Sequence, residues 1–147
     1  MKFFTSALRA MVLLFSCITP VEEPNITYLD AGVNSETHLF NTFHVSQESE
    51  TSNGETFDLV TVTASIENSP VRLMALTLRE YELGFDSCYR FTYLFEGTAY
   101  ERFDDSFVIE VVETNGYRIR GTFSGNLKSP ETGEVVSVTN GGFDVFY

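Results

Sequence analysis

A chain of 147 residues has the size of one domain, and its 43% hydrophobic and 20% charged content is ordinary globular usage that excludes a disordered chain. Twenty-one Asp and Glu against nine Lys and Arg give a net charge of −12, which excludes nucleic acid and an anionic membrane surface as electrostatic partners. Two cysteines rule out a disulfide-stapled miniprotein and a four-cysteine zinc site, while 14 Phe and 7 Tyr supply bulk for a core.

The chain begins with Lys2 and Arg9 as its only early charges, followed by the apolar or small run Ala10-Met11-Val12-Leu13-Leu14-Phe15-Ser16-Cys17. A basic start before 7–15 apolar residues is the layout of a secretory signal peptide, and the run falls short of the roughly 20 residues that span a bilayer. Residues 1–16 are therefore expected to be a signal peptide, and Ile18-Thr19-Pro20-Val21-Glu22-Glu23-Pro24 to be a linker. Leu14-Phe15-Ser16-Cys17 resembles the bacterial lipobox: a Leu three residues ahead and a small residue directly ahead of the modified Cys, with Phe15 in place of the usual small or aliphatic residue. That resemblance implies that Cys17 is the first mature residue and carries acyl chains. Two or three chains, at about 0.8 kcal/mol per buried CH₂, hold a protein on a membrane where one does not. Ile18 occupies the place where an inner-membrane retention signal usually has Asp, so the expected location is the outer membrane. Loss of Lys2 and Arg9 leaves 7 basic and 21 acidic residues, a charge of −14 that keeps the mature surface soluble. Two alternatives stay open here: a plain secreted protein in which Cys17 is removed or pairs with Cys88, and a eukaryotic secreted protein glycosylated at Asn25-Ile26-Thr27.

From Asn25 to Gly54 the chain is polar. Thr37–Val45, with Leu39, Phe43 and Val45 as its apolar members, is the first expected strand, and Ser46–Gly54 reads as a loop by composition. Thereafter the period becomes two. Val60, Val62, Ala64 and Ile66 alternate with Thr61, Thr63 and Ser65, a half-buried strand that ends at the turn Glu67-Asn68-Ser69-Pro70. Arg72–Leu83 has good helix propensity, but its all-β neighbours favour a strand. Tyr89, Phe91, Tyr93 and Phe95 form an aromatic stripe expected in the core. Glu96-Gly97-Thr98-Ala99 then turns into Tyr100–Phe103, and Phe107, Ile109 and Val111 form the next strand. Asn115-Gly116 predicts a two-residue type I′ hairpin turn pairing Phe107–Glu113 with Tyr117–Leu127. On the return strand Tyr117, Ile119, Phe123 and Leu127 should face in, Arg118 and Arg120 out, and Gly121 and Gly125 should mark a kink or a ring over bare backbone. Lys128–Glu134 turns again, Val136 and Val138 open the last strand, and Asn140-Gly141-Gly142 reads as a bulge or bend before Phe143 and Val145. About seven short strands joined by Gly, Asn and Pro turns predict an all-β fold, an antiparallel sandwich or partly open barrel, over 25–147.

Gly121-Thr122-Phe123-Ser124-Gly125, the Pro130–Gly133 turn and Val138-Thr139-Asn140-Gly141-Gly142-Phe143 resemble the C-terminal end of a family of small Bacteroidota-type cell-envelope lipoproteins. The resemblance covers about the last thirty residues, plus the N-terminal signal by layout. It implies a β-sandwich behind a lipobox and a cell-envelope location, and brings no activity with it.

Residues that could carry chemistry are few. His38 and His44 lie six apart, neither the helical spacing of four nor the strand spacing of two that zinc pairs use. Glu101, Asp104 and Asp105 are the densest acid group, but they lack the spacing of a Ca²⁺ loop. Cys88 follows Asp86-Ser87, and nearby acids raise rather than lower a thiol pKa. Tyr28, Tyr81, Tyr100 and Tyr147, near ends or turns, are the aromatics placed to stack on a sugar or a partner chain. The expected function is that of a lipid-anchored, non-enzymatic binding or structural module with a protein or glycan partner and no cofactor. The alternative is a small secreted enzyme or inhibitor whose His38, His44 or Glu101–Asp105 acids converge in one pocket.

Overall fold

A computed structural model describes residues 25–147 apart from Asp86; the expected signal peptide, Cys17 and the linker to residue 24 lie outside the described residues. The described chain is all β, with ten strands: β1 (Tyr28–Val33), β2 (Glu36–Phe40), β3 (Thr42–Ser52), β4 (Glu55–Ser65), β5 (Arg72–Arg79), β6 (Cys88–Phe95), β7 (Thr98–Arg102), β8 (Val108–Thr114), β9 (Arg118–Lys128) and β10 (Val135–Phe146). They form one antiparallel sheet in the order β2-β1-β10-β9-β7-β6-β5-β4-β3, and β8 shares the edge of β9 with β7.

This order forces the sheet to curl. Laid flat, nine strands about 4.8 Å apart would separate β2 from β3 by roughly 38 Å. The single residue Asn41 joins them, and two Cα–Cα steps reach less than about 8 Å. Every pairing along the path is antiparallel, so β2 and β3 run in the same direction: they are two halves of one bent strand, the first paired to β1 and the second to β4. Asn41 pins the bend, donating its backbone N–H to the Ser65 carbonyl (3.1 Å) and accepting from the Glu67 N–H on Oδ1 (2.9 Å). The partly open barrel is thus the architecture, and the two separately packed sheets of a sandwich are not formed.

The inner face holds the core. Val60, Val62 and Ala64, then Met74, Leu76 and Leu78, point inward by simple alternation, as do Ile109 and Val111 and then Ile119, Phe123 and Leu127. Phe91, Phe107, Phe123 and Phe143 stack through the middle with centroids 4.5–6.3 Å apart. On β10 the inward parity changes from even (Val136, Val138) to odd (Phe143, Val145), which requires one extra residue. The register slips between Val138 and Gly141, with Asn140 left-handed at φ 51°, so the expected bulge is present. Gly121 lies under the Phe143 ring and the Glu110 carbonyl, and Gly125, at φ 132°, lies against the backbone of Ser106–Phe107.

Several expectations need correction. Ten strands replace about seven: Tyr28–Val33 is a strand of its own and Thr37–Val45 is divided between β2 and β3, while Ser46–Ser52 continues β3 rather than forming a loop. The expected first strand, Thr37–Val45, is split at Asn41, and its inward residue is Phe40, whereas Leu39 is 67% exposed. The expected turn at Glu96–Ala99 contracts to Glu96-Gly97, so β7 starts at Thr98, and β5 stops at Arg79 instead of Leu83. The aromatic stripe is core only in part: Phe91 and Tyr93 are buried, Phe95 is half-buried and Tyr89 is exposed. Tyr117 is exposed rather than inward. Arg118 is half-buried, because its guanidinium grips both carboxylate oxygens of Asp144 (2.8 and 2.6 Å) over the Phe146 ring, while Arg120 is exposed as expected.

Two of the three Asn-Gly pairs depart from expectation. At Asn115-Gly116 only the glycine has positive φ, and Gly116-Tyr117 forms the turn. Asn115 donates its N–H to the Arg118 carbonyl (3.2 Å), and its side-chain Oδ1 accepts the return bond from the Arg118 N–H (3.0 Å). The type I′ geometry occurs instead at Asn53-Gly54 (φ 52° and 85°), closing the β3–β4 hairpin at Ser52 and Glu55. Residues Glu48–Thr56 of that hairpin are all exposed, so neither of its faces is covered. A Cβ on Gly54 would meet nothing within 4 Å, and Gly54→Ala therefore tests backbone conformation alone. The left-handed penalty of about 1–2 kcal/mol should appear as roughly 5- to 30-fold faster amide exchange in the hairpin tip. Unchanged exchange would mean that the turn is not left-handed.

Candidate functional site

One end of the barrel is left concave. Alternation on β6 turns Tyr93 inward beside its cross-strand neighbour Tyr100 on β7, their centroids 5.9 Å apart. From across the opening β2 brings His38 edge-on to Tyr93 (6.2 Å) and Phe95 (5.6 Å). The Asn34-Ser35 turn and the segment entering β10 complete the rim with Glu36 and Glu134. The enclosed space is about 240 Å³.

The polar groups of this cleft are unequally satisfied. The Tyr100 hydroxyl donates to Glu134 Oε2 at 3.0 Å. Tyr93 is only 1% exposed, yet its hydroxyl makes no hydrogen bond to any described residue, and that oxygen is the part of the side chain left open, facing the cleft. Burial, with a smaller contribution from Tyr100, pushes the Tyr93 phenol up to about 12, so it stays protonated at neutral pH. Burial pushes the His38 imidazole down, against a smaller opposing effect of Glu36, which keeps the ring neutral with one nitrogen free to accept. The nearest cation, Arg72, lies over Phe95 (5.5 Å) and is held by Glu96 at 2.8 Å. The cleft itself is lined by two carboxylates and no Lys or Arg.

The residues singled out in the sequence do not assemble into one site. His44 is exposed on β3 in a separate depression beside Pro70. Glu101, Asp104 and Asp105 are exposed and do share one open depression of about 460 Å³, where Arg90 and Arg102 stand among them and Asp104 Oδ1 accepts from the Ser106 N–H (2.9 Å). Among the described residues no three His, Cys, Asp or Glu are placed to hold a metal, and His38, His44 and the Glu101–Asp105 acids lie in three separate depressions. Tyr28 and Tyr81 are exposed as expected, but two of the four candidate contact aromatics are not free rings. Tyr100 is buried, and Tyr147 is half-buried with its hydroxyl donating to Glu80 (3.3 Å). Cys88 is half-buried with its thiol pushed up by burial, and it has no disulfide partner among the described residues. Sequence reasoning missed Glu36 and Glu134, which carry no signal beyond bordering turns, and placed Tyr93 in the core without its open hydroxyl. A larger depression of about 670 Å³ crosses the β10 bulge beside Phe85, Thr122 and Asn140, but there the polar side chains stand in open solvent. Comparison with protein families, with curated proteins and with solved structures finds no match to this chain.

Proposed function

We propose that this protein is a lipid-anchored, non-enzymatic binding module of the bacterial cell envelope. The observation that carries the reading is Leu14-Phe15-Ser16-Cys17 closing the early apolar run, because a modified Cys at that place joins a membrane anchor to the rest of the chain. Beyond Cys17 come a polar linker and then a small acidic barrel, a shape suited to presenting a surface away from a membrane that would repel it. The end cleft, with its open Tyr93 hydroxyl, is the part of that surface best suited to holding a ligand. Ile18 in the place of a retention Asp favours the outer membrane.

Lipidation has a direct readout. Cells fed labelled palmitate should label the wild-type chain, and Cys17→Ala should abolish the label and release the protein from the membrane fraction. An unlabelled wild type, or equal label on the variant, ends the anchor proposal. Ile18→Asp should move the labelled protein to the inner-membrane fraction.

A further inference from the structure

We infer that the end cleft binds a primary alkylammonium group, such as a lysine side chain or a small aliphatic amine, with the Tyr93 hydroxyl, His38 and Glu134 receiving its N–H bonds and the aromatic rings holding its stem. The inference deepens the binding part of the proposal above and is independent of the anchor.

Three properties of the cleft select that chemistry. Its walls include the rings of Tyr93 and Tyr100, which attract a cation and bury methylene groups, while Phe95 already carries Arg72 on its face and adds apolar edge. Its ionised groups, Glu36 and Glu134, are both negative, and the adjacent Arg72 is occupied by Glu96, so an anionic ligand would find repulsion and no partner. Two of its polar groups can accept: the Tyr93 oxygen, open to the cleft and without a partner among the described residues, and a nitrogen of the His38 imidazole. An ammonium carries three donors, which match the three acceptors Tyr93 Oη, the His38 nitrogen and the Glu134 carboxylate. A bare divalent cation is a poorer fit, because it needs six or more oxygens and no such cluster is present among the described residues. A space of about 240 Å³ limits the ligand to a short stem.

The full-length protein in detergent micelles, titrated with n-butylammonium chloride while the imidazole NMR signals are followed, provides the test. His38 signals should shift saturably and those of His44, outside the cleft, should not. Pentan-1-ol and butyrate should leave both unmoved. Tyr93→Phe, which removes one oxygen, should weaken n-butylammonium binding at least fivefold, and Glu134→Gln, on the exposed rim, should do the same. No saturable shift of His38, equal binding of pentan-1-ol, or unchanged affinity in both variants overturns the inference. Failure of palmitate labelling with the His38 shift intact would remove only the anchor. Labelling without the shift would remove only this ligand.

Discussion

Phe123→Ala is expected to destabilise the protein by about 3–5 kcal/mol, the range for emptying a fully buried aromatic site. Phe123 is 3% exposed and touches the rings of Phe91, Phe107 and Phe143, so several elements of the barrel lose packing at once. Its ring also lies against the bare Cα of Gly141, beside the bulge, which makes it the wedge that fixes the change of parity on β10. The neighbouring Arg120→Ala should cost well under 1 kcal/mol, since Arg120 is exposed and its ion pair with Glu113 is a surface contact. Urea denaturation of both variants decides the register of β9. Similar costs would mean that the strand is slipped by one residue, because a slip of one exchanges its faces.

Gly125→Ala is the second large effect, about 3 kcal/mol or more, because two penalties add. A φ of 132° is nearly closed to a side chain, a strain of about 1–3 kcal/mol. The added Cβ would also meet the Ser106 carbonyl and the Phe107 Cα, which are backbone atoms that cannot rotate aside, an overpacking cost of a further 1–3 kcal/mol or so. The same urea measurement applies, and a loss below about 1 kcal/mol would show that the Ser106–Phe107 segment does not lie against β9. Together the two variants separate the core's dependence on a large ring from its dependence on a missing one.

The Asn-Gly pairs show where local reading succeeds and where it fails. Asn53-Gly54 and Asn115-Gly116 both sit in hairpins, although only the second lies between segments that show strand period in the sequence. Only Asn53-Gly54 takes type I′ geometry. At Asn115 the side chain competes successfully for the Arg118 N–H and moves the turn on by one residue. The same move lifts Tyr117 out of the inward row. Arg118 was legible as outward-facing, but its partners Asp144 and Phe146 come from a strand more than twenty residues away, and they draw it into a half-buried pair. Tyr93 was legible as core by alternation. Its open hydroxyl was not, because that depends on which strand lies across the barrel mouth.

Legible in the amino-acid sequence alone were the all-β class, the inward residues of β4, β8 and β9, Phe91 and Tyr93 of β6, the glycines beneath the core rings and the bulge on β10. These are properties of one strand at a time: a side chain's face follows from its place along a pleat of period two, and a bulge shows as a break in that parity. That a single sheet curls on itself, that Asn41 bends one strand into β2 and β3, and that His38 and Glu134 meet Tyr93 at the barrel end emerges from the folded arrangement alone. The reason is physical. Strand pairing is carried by backbone hydrogen bonds that nearly every residue type can make, so the partner of a strand is chosen by how all the apolar faces can be buried together. The result brings together residues as distant as Thr27 and Phe146, whose hydrogen bond (3.2 Å) ties the start of the barrel to its end.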